Sequence, residues 1–104
     1  MKLASKLNKF LLIVFSLALA LPATTLANKE IRIGVLYDYT GLLAGAGGIP
    51  GGDGTQIAID MINERGGVEG YTIVPVKGDA QSKPDIAISE AERLINVENV
   101  DMLI

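Results

Sequence analysis

Seven of the twelve glycines in the chain crowd into "GLLAGAGGIPGGDGT", Gly41 to Thr55, between an apolar run and a helix-like stretch. Glycines so placed could admit a phosphate to the main-chain N–H groups of a helix start. They could equally face another small molecule, or serve only as permissive backbone in a surface loop. The dinucleotide fingerprint needs G-x-G-x-x-G in a tight turn. Pro50 stands where Gly45 and Gly47 require the third glycine, and Ile57 where Gly52 and Gly54 require it. A P-loop needs a lysine before Ser or Thr, and Gly54 precedes Thr55. Phosphate binding is disfavoured on both counts. The ligand-facing and permissive readings stay open.

Two short segments flank the same region. Tyr37, Asp38, Tyr39 and Thr40 end the apolar run, and strand alternation puts both tyrosines on one face with Asp38 opposite. One ring in the core and one at the rim is the plain reading; contact with a ligand is the other. In "GDAQS", Gly78 to Ser82, Asp79 is placed to brace neighbouring loops, with Ser82 as a helix cap the plainer alternative. Glu64, Glu90, Glu92 and Arg93 read as solvated helix faces. Histidine and cysteine are both absent, which removes the usual general base, thiolate metal sites and disulfides. No catalytic residue, metal site or cofactor is expected.

The first twenty-seven residues read as an address. Lys2, Lys6 and Lys9 head an apolar stretch from Phe10 to Leu21, and "PATTLA" closes it with small residues. A basic head, a short apolar centre and an A-x-A-like end make a secretory signal peptide, with cleavage after Ala27. The apolar stretch falls short of the roughly 20 residues a membrane span needs. Without cysteine, no lipid anchor follows the cleavage site, so an untethered periplasmic protein is expected. The leader holds three of the nine basic residues and none of the twelve acids, so its loss takes the net charge from −3 to −6. Such a chain is a poor nucleic-acid binder.

The elements around the glycines suggest how the candidates are brought together. "EIRIGVLY", Glu30 to Tyr37, is apolar on both faces, as a strand inside a parallel sheet is. A long loop from Asp38 to Asp53 then leads to a helix in "TQIAIDMINERGG". Its buried stripe is expected at Ile57, Ala58, Met61 and Ile62, with Gln56, Asp60 and Asn63 facing away. Asp53 or Thr55 would cap its start and Gly66 or Gly67 its end. "YTIVPV", Tyr71 to Val76, is a strand that Pro75 confines to an edge. A second helix follows from Pro84, with Ala87, Ala91, Leu94 and Ile95 as its stripe, and "VDMLI", Val100 to Ile104, starts a third strand. Alternating strands and helices imply parallel pairing through right-handed crossovers. With the second strand at an edge the simplest order is 2-1-3. The crevice then lies at the carboxyl end of the first strand, where the glycines begin.

Taken together, "IRIGVLYDYTG", the small-residue loop, "AIDMINERGGVEG" and the "D-x-Q-S-x-P" turn from Asp79 to Pro84 resemble the type I periplasmic solute-binding proteins of the leucine/isoleucine/valine-binding family. The resemblance covers Asn28 to Ile104. It implies an α/β fold with a doubly wound, Rossmann-like parallel sheet, the first part of lobe 1 of a two-lobe protein. It also implies a non-enzymatic subunit of an ABC importer for branched-chain amino acids or related small amides and carboxylates. The implied partners are the solute and an inner-membrane permease, with no nucleic acid and a monomer at full length. A ligand-sensing receptor ectodomain of the same fold is the alternative, and a nucleotide-binding enzyme lobe a more distant one. Only the region of Gly45, Ala46 and Gly47 matches a place where the family contacts solute. Branched-chain binders can carry an aromatic residue there, which this sequence lacks. The candidate ligand-facing set is Tyr39, Thr40, Gly45, Ala46, Gly47, Asp79 and Gln81. Mass spectrometry of the exported protein is expected to read Asn28 as its first residue; an uncleaved chain would overturn the leader assignment.

Overall fold

The computed structural model describes residues 29–104; the leader expected over residues 1–27 lies outside them. The elements are β1 (Glu30–Tyr37), a π-helical turn (Ala44–Gly48), α1 (Ile49–Glu64), β2 (Thr72–Asp79), α2 (Pro84–Asn96) and β3 (Met102–Leu103). The sheet is wholly parallel in the order β2-β1-β3, as the position of Pro75 led one to expect. β1 and β2 pair from Glu30↔Thr72 to Tyr37↔Asp79, so the two strands end level. β3 pairs over Ile33↔Met102 and Gly34↔Leu103, and bonds from Asp101 N–H to Arg32 C=O and from Leu36 N–H to Ile104 C=O extend that ladder.

The helices cover opposite faces of the sheet. On one face Ile33, Val35 and Ile73 close around Ile59 of α1, with Ile31, Tyr37 and Ile62 packed against them. On the other face Leu94 of α2 is wholly buried. Its Cδ1 lies so near Gly78 that a Cβ there would come within 2.9 Å, so a bare strand position lets α2 sit close. Among the described residues no helix is long and apolar enough to cross a membrane.

α1 departs from the sequence expectation in phase, whereas α2 largely keeps to it. α1 starts at Ile49, not after Asp53, with Pro50 in its first turn and no side-chain cap from Asp53 or Thr55. Its inward residues are Gly52, Thr55, Ile59, Ile62 and Asn63, whereas Ile57 (60% exposed) and Met61 (47% exposed) face outward with Ala58. Periodicity defines a 3.6-residue repeat but leaves the choice of inward face to the packing partner. Here that partner is a pair of tyrosine rings, which select the glycine side. In α2, Ala87, Ala91 and Leu94 point inward as expected, while Ile95 is half exposed. The expected end of α1 is present: Gly66 and Gly67 have φ of +101° and +79°. Their N–H groups bond to Asn63 C=O and Ile62 C=O, a Schellman closure.

The outer edge of β2 is partly covered by side chains. Thr72 N–H and Ala80 N–H donate toward β1, to Lys29 and Tyr37 carbonyls, so the odd-numbered residues between them turn outward. Asn63, expected to face solvent, reaches Ile73 with both ends of its amide. Nδ2 donates to the carbonyl and Oδ1 accepts from the N–H, each at 2.8 Å. Pro75 has no N–H to offer, and Lys77 C=O accepts from Arg93 Nη2 at 3.1 Å. An open row of strand donors and acceptors invites pairing with another chain, and side chains that occupy it remove that template. Replacing Asn63 by alanine in the complete protein strands both groups of Ile73. The expected cost is about 1–3 kcal/mol, read as a lower denaturant midpoint in urea at unchanged slope.

Candidate functional site

The glycine-rich segment is helical rather than a loop. Gly48 N–H donates to Leu43 C=O and Ile49 N–H to Ala44 C=O, the i→i+5 spacing of a π turn, and α1 continues directly from it. Helical glycine costs roughly 1 kcal/mol per residue against alanine, so tertiary contacts must offset it. They are visible at three positions. A Cβ at Gly48 would collide with the carbonyl of Asp38, one at Gly51 with the ring of Tyr37, and one at Gly52 with the ring and hydroxyl of Tyr39. Gly45 and Gly47 differ: a Cβ at either would meet nothing within 4 Å. The cluster therefore divides into glycines that let α1 close on β1 and glycines that border open space.

The tyrosines are placed by that close approach. Their rings meet edge to face, with centroids 6.4 Å apart at 74°. Tyr37 Oη lies 3.3 Å from Thr55 Oγ1 on α1. Lys77 Nζ stands 3.6 Å from the centroid of the Tyr39 ring, a cation–π contact. Burial, then the negative charge of Asp53, raises the Tyr39 phenol above its ordinary value. Tyr39 borders a small crevice of about 150 Å³ shared with Asp53, Gln56 and Lys77.

The loops leaving β1 and β2 are clasped together. Asp79 Oδ1 accepts from the N–H groups of Tyr39 (3.0 Å), Thr40 (3.1 Å) and Gln81 (3.0 Å), and its Oδ2 from Thr40 Oγ1 (2.7 Å). Asp38 Oδ1 accepts from Ser82 N–H at 2.7 Å, and Ser82 Oγ accepts from Leu43 N–H at 2.9 Å. Ser82 therefore does not cap α2. Lys83 occupies the cap position without a side-chain bond, its ammonium having no acceptor to offer, and the serine hydroxyl is engaged across the clasp. Gln81 and Ser82 are both left-handed, with φ of +54° and +55°. Side-chain-bearing residues hold that conformation only where surrounding contacts over-determine it. Here the Asp79 and Asp38 carboxylates do so. Desolvation pushes the Asp79 carboxyl upward, but the bonds from Thr40, Gln81 and Tyr39 outweigh it and hold the group below its ordinary value.

Beyond the carboxyl end of β1 this clasp frames an open cavity of about 500 Å³. Leu36, Tyr37 and Asp38 form its floor, Ala46 and Gly47 one wall, and Ala87 of α2 the other. That volume lies in the range of small-molecule sites. Of the seven residues singled out from sequence, Ala46 and Gly47 line the cavity and Gly45 stands beside them in the turn. Tyr39, Thr40, Asp79 and Gln81 come together with one another as the clasp. Sequence reasoning passed over Ser82 as a bridge and Ala87 as a wall. The repeat that puts Ala87 on the inner stripe of α2 was the available signal for the latter. No three acidic residues stand together as a metal site among the described residues.

Comparison with known proteins agrees with this architecture. Residues 30–104 match the periplasmic binding protein family. A Leu/Ile/Val-binding protein homolog from Brucella suis is 45% identical over 89 residues, which is 86% of this chain and 22% of the relative. Among solved structures, the branched-chain amino acid transporter substrate-binding protein LivJ of Streptococcus pneumoniae, in complex with isoleucine, matches with a TM-score of 0.69 at 33% identity. That match covers 72% of this chain and 21% of LivJ. A fatty acid ABC transporter substrate-binding protein from Thermomonospora curvata matches with a TM-score of 0.62 at 34% identity, over 68% of this chain and 18% of that one. The chain thus spans about a fifth of the length of the relatives it matches.

The clasp has a pH signature. Because the Asp79 carboxyl is held below its ordinary value, its contribution is full above about pH 4–5. It is lost as the pH falls through the lowered value. The stability gap between the complete protein and its Asp79→Ala variant is expected to be constant near neutral pH. It should narrow below about pH 4. Unfolding midpoints measured across that range check it; a gap independent of pH would contradict the clasp.

Proposed function

The chain belongs to the periplasmic binding protein family, and from that premise we propose that it carries one rim of the solute cleft of an ABC import system. The observation that carries the reading is the open cavity beyond β1, walled in part by residues as small as Ala46 and Gly47 and bordered by Asp38 and Leu43, which Ser82 ties together. Open α/β sheets bind ligands at this place, outside the carboxyl ends of strands where the chain reverses direction. A second lobe would close over the rim, bury the solute and offer a closed shape to an inner-membrane permease. Closure of that kind follows from higher affinity for the closed state.

The solute class we favour is a branched-chain amino acid or a related small amide or carboxylate. Support comes from the names of the Brucella and Streptococcus relatives. The protein acts by capture and release, as an untethered monomer in the periplasm after cleavage at Ala27. It uses no cofactor, binds no nucleic acid and does no chemistry on its guest. Gly45, Ala46 and Gly47 face the solute in this reading. Tyr39, Thr40, Asp79 and Gln81 serve it by fixing the rim.

A thermal-shift screen of the complete protein tests this. Leucine, isoleucine or valine, or a small amide or carboxylate, is expected to raise the midpoint. A solute at a hundredfold its dissociation constant stabilises by about 2.7 kcal/mol. Nucleotides are expected to leave the midpoint unchanged, and saturable nucleotide binding would select an enzyme lobe instead. Ala46→Trp fills the cavity wall and should abolish the solute shift while leaving the ligand-free midpoint within about 0.5 kcal/mol, as for a surface change.

A further inference from the structure

Glu90 and Arg93 depart from the solvated helix face that their sequence suggests. Their side chains keep 24% and 36% of their surface exposed. Arg93 grips Glu90 at two points, Nε to Oε1 at 3.0 Å and Nη2 to Oε2 at 2.9 Å. The same guanidinium donates to Lys77 C=O at 3.1 Å and to Glu98 Oε1 at 3.0 Å. A planar fork held at four points fixes the carboxylate in one orientation. The bonds from Arg93, opposed by burial, hold the Glu90 carboxyl below its ordinary value, so it stays charged beside Asp79.

The orientation has a target. Glu90 Oε2 accepts the main-chain N–H of Asp79 at 3.3 Å, on the edge of β2 that turns away from β1. The bare Gly78 lets α2, and Glu90 with it, sit close to β2, since a Cβ there would come within 2.9 Å of Leu94 Cδ1 and 3.0 Å of Leu36 Cδ1. Asp79 thus has its N–H held on the α2 side while its carboxylate reaches across to Tyr39 and Thr40 on the other loop. The direction of a side chain follows from the peptide that bears it. A tilt of the Asp79 peptide would lengthen the three bonds to Tyr39 and Thr40 together.

We propose that Glu90 is a positioning residue for the solute cleft. Clamped by Arg93, it fixes the Asp79 peptide and so aims the Asp79 carboxylate at the main chain of the β1 loop. The role rests on the reading of that rim as solute-facing. Arg93 offsets the repulsion between the two carboxylates and ties both to α2, so the packing of this helix sets the rim.

Two measurements on the complete protein test the role. They are amide hydrogen exchange at Tyr39 and Thr40 without solute, and calorimetric titration with L-isoleucine. Glu90→Ala is expected to speed exchange at both amides about tenfold and to weaken isoleucine binding by a similar factor, about 1.4 kcal/mol. Glu90→Gln keeps one acceptor for the Asp79 N–H but not the two-point grip of Arg93, and should return both readouts part of the way to the parent values, which simple loss of a surface charge would not allow. Arg93→Lys keeps the charge but not the two-point grip, and should move both readouts the same way by less. It also decides the matter if Glu90→Ala does not fold. Glu92→Ala, on the exposed face, should change neither. Unchanged exchange at Thr40 in Glu90→Ala overturns the positioning itself. Faster exchange with full isoleucine affinity overturns the role through the reading on which it rests, since the rim would then not face the solute.

Discussion

The carboxylate of Asp79 is the constraint on which the upper end of this lobe depends. β1 and β2 end level, Tyr37 opposite Asp79, so two loops leave the sheet side by side with several N–H groups and no strand partner. Unpaired main-chain donors of this kind are costly where water is partly excluded. One carboxylate with four acceptor positions takes Tyr39 N–H, Thr40 N–H, Gln81 N–H and the Thr40 hydroxyl together. Everything above the sheet is placed relative to that group. Gln81 and Ser82 can hold left-handed backbone, Ser82 can reach Leu43, and the π turn begins from a fixed residue.

The glycines act on the other side of the same loop. Close contact between a helix and a strand end is limited by side-chain bulk, and Gly48, Gly51 and Gly52 remove that limit where Asp38, Tyr37 and Tyr39 approach. The rings of Tyr37 and Tyr39 fill the space, so the aromatic surface at the end of β1 is spent on α1. Above its floor the cavity is bordered by the small residues Ala46, Gly47, Ala80 and Ala87, with Leu43 as the large apolar side chain among them. The stiffness of this rim comes from the clasp beside it. A loose rim would lose affinity for any ligand in ordering itself on each binding event.

How far the sequence could be read depends on the range of the interactions involved. The span of β1 was legible residue by residue, because apolar residues on both faces mark a strand buried on both sides. Pro75 marked the edge strand, since a missing N–H is tolerable only there. Gly66 and Gly67 marked the end of α1, and Asp79 was legible as a brace from its place at the end of a strand. The start of α1 was not legible. Local rules read seven glycines as a loop, and the close approaches of Asp38 to Gly48, Tyr37 to Gly51 and Tyr39 to Gly52 go with a helix that takes in six of them.

Asn63, Ser82, Glu90 and Arg93 fell on the same side of the divide. Each is polar on a helix or turn, where the plain expectation is solvent or a local cap, and each instead meets a partner from another element. Pattern along the chain therefore determined the kinds of element, their order and the parallel pairing, because these follow from burial and from backbone chemistry within a few residues. Which face α1 turns inward, and which polar groups become the clasp, was decided only in the folded molecule. Those choices depend on atoms that meet through space, and no spacing along the chain encodes them.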